Sequence, residues 1–296
     1  GGGNTSVKIS AERMLVKASG FNLAQVGETC GFCEIDTKAL LSAFNKNKTA
    51  LKNNPALFEK IIKDANKTPS ALPSMETILH ALLPHKYILH THPLAVNAAV
   101  CKKDWRKTLS KLFKDAVFID YKNPGGELAA AIEESAGNAQ IIFLQNHGLI
   151  TAGKNPQEVI SLTENVTKAI EKEVGLNFAP YKLTTELADI INKFSKQPLV
   201  ALLSCDNLLE TDAAKKVLFS PPLFPDQLVY CGPAVLKLTA PKQIQEYKKK
   251  YKVLPKVIVY KKHLFFIAKD LKKAKEMLEV FKAHTIAAQG GSHNNP

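Results

Sequence analysis

His90 and His92, in Tyr87-Ile88-Leu89-His90-Thr91-His92-Pro93, have the residue type and spacing best suited to chemistry in this chain. The run before them is short and apolar, so it reads as a buried strand, on which residues i and i+2 share a face. Both imidazoles therefore point one way, close enough to share a cation. A third candidate is His147, where the apolar run Ile141-Ile142-Phe143-Leu144 leads into Gln145-Asn146-His147-Gly148. A strand-borne His-x-His with a distant His is a metal-site pattern, because neutral imidazole is the commonest protein ligand for zinc. A carboxylate or a water at the fourth position decides whether such a site is structural or catalytic.

Glu76 is the carboxylate in range. It falls in the first turn of the helix expected before the His-x-His strand, and that turn folds back towards a neighbouring strand end. It can complete a three-His, one-Glu site or act as a base beside the ion. The plainer alternative is a first-turn Glu that complements the helix dipole. His80, one turn later on the same face, reads as a supporting or packing residue rather than a fifth ligand. His85, His263, His284 and His293 lack such settings. Gly1-Gly2-Gly3-Asn4-Thr5-Ser6 reads as a glycine-rich loop before a strand, and Lys17-Ala18-Ser19-Gly20 ends the hairpin. Backbone N–H groups exposed in such loops can cradle an anion, although hairpin turns use glycine too. Cys30-Gly31-Phe32-Cys33 has no second CxxC and does not open a helix after a strand, so it reads as a pair of incidental thiols.

These residues need a scaffold, and the chain supplies alternating elements. Met14–Ser19 reads as a strand, and Asp36 as the N-cap of a helix carrying Leu40, Leu41 and Phe44. Pro55 opens a second helix, and Pro73-Ser74 precedes a third that stops at Pro84. A helix near Asp104–Phe113, a strand near Ala116–Asp120, a turn at Asn123-Pro124-Gly125-Gly126 and a helix from Glu127 lead to the His147 strand. Asn155-Pro156 starts a long helix to about Val174. The alternation predicts a layered α/β domain over 1–180. Beyond Pro180 a smaller αβ unit is expected over 181–289. It holds a helix from Thr184, another near Asp206–Val217, a Pro-rich loop at 220–225, strands at Lys256–Tyr260 and Leu264–Ala268, and a closing helix Asp270–Ala287. Residues 290–296 read as a loose polar tail.

Composition bounds the partners. The 296 residues are 45% hydrophobic and 23% charged, an ordinary globular balance. No apolar stretch is long enough to cross a bilayer, and no charged-then-apolar leader opens the chain, so no membrane is expected. Five cysteines, an odd number, favour a reducing compartment, which points to the cytoplasm. The net charge of +13 admits anionic partners, nucleic acid included. Its lysines, as in Lys248-Lys249-Lys250, sit among core-patterned residues with little Arg or stacking aromatic. A solvated basic face is expected rather than a nucleic-acid surface.

In order, the pieces are Gly-Gly-Asn-Thr-Ser, Ala-Ser-Gly, Pro-Ser-Met-Glu, His-Thr-His-Pro, Pro-Gly-Gly-Glu-Leu-Ala and Asn-His-Gly. This set, spanning roughly 1–175, resembles the class II aldolase/adducin family of zinc-dependent sugar-phosphate aldolases. The later segment is similar to the rest of the aldolase portion of proteins that fuse it to a short-chain dehydrogenase. No dinucleotide fingerprint follows it here, so that half is expected to be absent. The resemblance implies a three-layer α/β/α fold around a mainly antiparallel sheet and a homo-oligomer, usually a tetramer. It implies Zn²⁺, or another divalent metal, on His90, His92 and His147, with Glu76 as the catalytic carboxylate that also approaches the ion. Gly3, Asn4, Ser19, Gly20 and Ser74 would bind the substrate's phosphate or equivalent polar end. The implied reaction is retro-aldol cleavage of a ketose phosphate or sugar acid, Glu76 moving the proton at the adjacent carbon. A Glu there favours aldolases over the related pentulose-phosphate epimerases. An epimerase or dehydratase on the same scaffold, and a catalytically silent adducin-like interaction module, are the alternatives. The chain departs from the family pattern at Met75, where aldolases carry the second of two serines. The family's aryl proton donor has no identifiable counterpart among the seven tyrosines.

Overall fold

A computed structural model describes residues 3–21, 23, 26–204, 208–209, 215 and 218–287. The expected helix near 206–217 and the tail at 290–296 lie largely or wholly outside the described residues, as do Gly1 and Gly2. The chain divides into two units, Gly1–Leu176 and Asn177–Pro296. The break falls just before helix Ala179–Asn192 rather than at Pro180. Pro180 sits within that helix's first turn, where its missing N–H costs nothing.

The first unit is built on a seven-stranded sheet. In chain order its strands are β1 (Gly3–Lys8), β2 (Arg13–Lys17), β3 (Phe32–Asp36), β4 (Tyr87–Thr91), β5 (Val117–Ile119), β6 (Ile141–Leu144) and β7 (Gly148–Gly153). Their spatial order is β3-β2-β1-β4-β7-β6-β5. The sheet is mixed, which corrects the mainly antiparallel expectation: β5 lies parallel to β6, while the other neighbours run antiparallel. The parallel pair arises because helix α6 (Gly126–Ser135) carries the chain from the end of β5 back to the start of β6, as a crossover requires.

Helices α1 (Thr37–Leu51), α2 (Pro55–Asp64) and α3 (Thr77–Leu82) join α6 on one face of this sheet. Leu40, Phe44, Phe58, Ile61, Ile78, Leu128 and Ile132 pack there against Ile88, Ile142, Leu144 and Ile150 of the strands. Asp36 caps α1 by accepting from Ala39 N at 2.9 Å, as its position before the apolar periodicity predicts. Helices α4 (Leu94–Val100), α5 (Trp105–Leu112) and α7 (Pro156–Val174) cover the other face. The Thr151 and Thr163 hydroxyls meet at 2.6 Å and tie α7 to β7 there. Covering on both faces leaves β7 wholly buried, so its sequence is a run of small and apolar residues rather than an alternation.

Two strands correct the sequence reading. Gly3–Lys8 is strand rather than loop, with Asn4 and Ser6 buried on one face and half-buried residues around them. Phe32–Asp36 is also a strand, and it buries Cys33 while Cys30 stays exposed. Neither cysteine belongs to a metal-donor cluster among the described residues. Helix α3 begins at Thr77, so Glu76 occupies its N-cap rather than its first turn and makes no capping bond.

The second unit is a four-stranded sheet in the order β8-β11-β10-β9. Its strands are β8 (Val200–Leu203), β9 (Leu236–Leu238), β10 (Val257–Tyr260) and β11 (His263–Ala268). Helices α8 (Ala179–Asn192), α9 (Pro225–Cys231), α10 (Lys242–Tyr251) and α11 (Leu271–Ala287) accompany it. Phe266, Met277 and Phe281 anchor one core, and Ile191, Ile244, Ile258 and Phe265 the other, so both faces of β10 and β11 are buried. Among the described residues, no helix is long and apolar enough to cross a membrane.

Candidate metal centre

Strand register assembles the centre. Asn4 of β1 and Ile150 of β7 flank His90 on β4, and Gly3 and Leu149 flank Thr91. The chain leaves β4 at Pro93 with His92 just beyond the last paired residue. His147 ends the three-residue connection from β6 to β7, in which Asn146 takes a left-handed backbone with φ 55°. Asparagine tolerates that conformation better than most residues, which accounts for its place in this tight reversal.

Two glycines allow the strands to close on the site. At Gly148 an added Cβ would lie 2.6 Å from both His92 Cδ2 and the Thr91 carbonyl oxygen. At Gly3, with φ 119°, a Cβ would sit 2.5 Å from the His90 carbonyl oxygen. Gly148→Ala is therefore expected to push His92 aside. Overpacking of this kind costs about 1–3 kcal/mol. Metal affinity should fall together with Tm, and calorimetry on the loaded and stripped protein measures both.

The four donors converge. His90 Nε2 lies 3.2 Å from His147 Nε2 and 2.9 Å from His92 Nε2. Glu76 Oε1 is 2.9 Å from His147 Nε2 and 3.3 Å from His90 Nε2. One ligand atom from each of Glu76, His90, His92 and His147 lies within 4.8 Å of the others. His90 Nδ1 donates to the Leu149 carbonyl at 3.0 Å, which fixes its tautomer and turns the Nε2 lone pair inward. Nitrogen lone pairs and a carboxylate oxygen facing one another repel unless a positive charge sits among them. Three imidazoles and one carboxylate form a donor set that fits a tetrahedral zinc-type ion.

The charge states agree with that fit. Burial alone would raise the Glu76 carboxyl, but hydrogen bonding and charge from His147 and His90 outweigh it and hold the group far below the usual carboxylate range. Burial, then the His90 and His147 charges, lower His92 to about 4. At neutral pH the pair presents a carboxylate and a neutral imidazole, the forms that bind metal.

Behind Glu76 runs a buried polar chain that the sequence reading did not assemble. Asn4 Nδ2 donates to Glu76 Oε2 at 2.6 Å and to Ser74 Oγ at 3.2 Å. Because that amide donates to a carboxylate, Asn4 Oδ1 faces away from Glu76, and it accepts from His80 Nε2. His80 is then protonated on Nε2, and its Nδ1 accepts from the Ser6 hydroxyl at 2.7 Å. Ser6, Asn4 and His80 are 4%, 2% and 1% exposed, so no solvent competes for these bonds. Asn4 and Ser6 at i and i+2 of an alternating strand, and His80 four residues beyond Glu76, were the available signal.

Ser74 Oγ also accepts from Glu76 N at 3.2 Å, so it helps to set the backbone at the site. Gly3 pairs with Thr91 at the start of β1. Ser19 and Gly20 lie on the neighbouring loop, joined to the Leu72–Ser74 segment by Ser19 N donating to Leu72 O at 2.7 Å. Ser19, Glu59, Ile62, Lys63, Leu72, Pro73 and Met75 line a hollow of about 220 Å³ there. Asn4 has its side-chain amide committed to Glu76 and Ser74 rather than turned to that hollow.

His80 also gives the centre a pH signature. Burial, then the His90 charge, lower it to about 3 from an ordinary 6.5. The unfolded chain takes up this proton below pH 6.5 while the native protein refuses it, so acid favours unfolding. Stability of metal-free protein is expected to be level from pH 6.5 to about 8 and to decline from 6.5 down to about 4.5 as the depressed histidines His80 and His92 contribute. Below that, loss of the Glu76 carboxylate adds in the same direction. Urea titrations at pH 7 and pH 5 measure this, and His80→Gln should flatten the difference.

Residues 1–174 match the family described as Class II Aldolase and Adducin N-terminal domain. A curated relative, the uncharacterized oxidoreductase YuxG of Bacillus subtilis (strain 168), is 27% identical over 187 residues. That match takes in 59% of this chain but only 27% of the relative's length. Among solved structures, the N-terminal Class II Aldolase domain of a conserved protein from Thermoplasma acidophilum is 28% identical, with a TM-score of 0.53. It aligns over 59% of this chain and 84% of that domain. A match that spans the whole seven-stranded unit and every residue of the metal-donor cluster places this chain in the class II aldolase and adducin N-terminal domain family.

Proposed function

We propose that this chain is a metal-dependent aldehyde-lyase that cleaves a ketose phosphate or a related sugar acid. The observation that carries the reading is the convergence of the His90, His92 and His147 Nε2 atoms on Glu76 Oε1. His90, His92 and His147 would hold the ion, zinc in the first instance, which when bound supplies Lewis-acid polarisation of a substrate oxygen.

The chain's own residues then do the rest. Asn4 occupies Glu76 Oε2, so Oε1 is the oxygen left to take and return a proton at the reacting carbon. Ser6 and His80 hold Asn4 in the orientation that this requires. Pro93 and helix α4 carry the chain away beyond His92, while Gly3 and Gly148 let β1 and β7 close on β4. The hollow at Ser19 and Met75 would receive the substrate's far end. Cys33 and Cys231, buried as thiols, suit the reducing interior of a cell, and the family resemblance favours a homo-oligomer.

Retro-aldol assays over a panel of ketose phosphates and their unphosphorylated acids test the reading. Cleavage to an aldehyde and a dihydroxyacetone-type fragment, abolished by chelator and restored by zinc, is the expected result. Turnover to an epimer or a dehydrated product would assign the same centre to the other chemistry. Unchanged activity in chelator would remove the metal from the mechanism.

A further inference from the structure

The second unit holds a cleft that the metal chemistry does not use. It has a volume of about 450 Å³ and lies between the Ser195–Leu199 loop, the approach to β10 and the face of α11. That size falls within the ~300–1,000 Å³ of small-molecule sites. Its floor is apolar, formed by half-buried Leu254 and the buried side chains of Ile267 and Met277. Lys196, Lys256, Lys269 and Lys273 surround it, and among the described residues no acidic side chain is part of its lining.

Two of these lysines are held rather than loose. Lys256 Nζ donates to the Val229 carbonyl at 2.7 Å, and Lys273 Nζ stands 3.8 Å from the Tyr230 ring centre while pairing with Glu276 at 3.0 Å. Burial, with the Lys273 charge acting the same way, keeps Lys256 below the usual lysine range. Lys196 and Lys269 are exposed and form no ion pair with any described residue. Among the described residues one carboxylate, Glu276, answers these four ammonium groups, which leaves excess positive potential over an apolar floor, and an anion with an apolar body meets both conditions.

We infer that this cleft binds a small organic anion, an aromatic or apolar body ending in a phosphate or a carboxylate, independently of the metal centre. The test is isothermal titration of the full chain with phenyl phosphate, benzoate and ribose 5-phosphate. Phenyl phosphate or benzoate should bind at one per chain, the tighter of the two identifying the anion. Ribose 5-phosphate, which lacks the apolar body, should bind more weakly. The double change Lys196→Glu with Lys269→Glu alters two exposed side chains and should weaken binding at least about tenfold. The His90→Ala, His92→Ala protein should bind as the parent does. Absence of binding by both aromatic anions, equal binding by the charge-reversed protein, or loss of binding in the histidine variant would each overturn the proposal. The histidine variant also keeps this result separate from the fate of the lyase reading.

Discussion

Glu76→Gln is expected to keep metal bound and to lower turnover by about 10²–10⁴-fold, the usual worth of a positioned acid–base group. The substitution preserves shape, and Asn4 Nδ2 still finds an acceptor in the new amide oxygen. That bond turns the amide nitrogen towards His90 and His147, where the carboxylate oxygen stood. Three histidines remain, and three protein ligands hold many catalytic zinc ions. Losing the fourth donor should therefore weaken affinity without abolishing it, the three imidazoles still holding the ion. Elemental analysis of the purified variant and kcat under saturating zinc measure the two effects separately. Full turnover by the variant would refute the proton-transfer role. Loss of the metal along with turnover would recast Glu76 as chiefly a ligand.

The parts of this site that the sequence made legible are those encoded by local period. His90 and His92 were readable because a short apolar run fixes a strand, and a strand puts i and i+2 on one face. The capped helices were readable because Asp36 and Asn155 precede apolar periodicity and accept from Ala39 N and Glu158 N. What escaped depends on pairing between distant segments. Gly3–Lys8 looked like a loop because its glycine opens it and its side chains are small and polar. Its strand character comes from lying between β2 and β4. Asn4 consequently looked like an anion-loop residue, when its register opposite His90 brings its amide to Glu76. The strand β5 was legible near Ala116–Asp120, but its parallel direction was not, for a related reason. Three residues carry too little pattern to reveal direction, and only the return of α6 sets it. Val200–Leu203 and Leu236–Leu238, four and three residues long, likewise gain their strand form from β11 and β10.

His92→Ala should abolish tight metal binding, and its effect should exceed that of any change behind the donors. His92 extends beyond the last paired residue of β4, and its ring is held against Gly148 and faces His90 at a centroid distance of 4.7 Å. Removing it leaves two imidazoles and one carboxylate, with space for water at the vacated corner. Asn4→Ala provides the comparison: all four donors stay, Glu76 Oε2 loses its partner, and a ~10–100-fold decrease in affinity is expected. Zinc titration against a competing chelator ranks the two. If the ranking reverses, the ion is held mainly by the orientation of Glu76 and only secondarily by the histidines. If the parent protein takes up no divalent metal at all, the convergence of three Nε2 atoms has a purely structural meaning and the chain is a silent interaction module. The buried chain from Ser6 to Glu76 argues against that outcome. An interaction surface gains nothing from fixing one carboxylate oxygen through three buried side chains, whereas a metal centre that moves protons does.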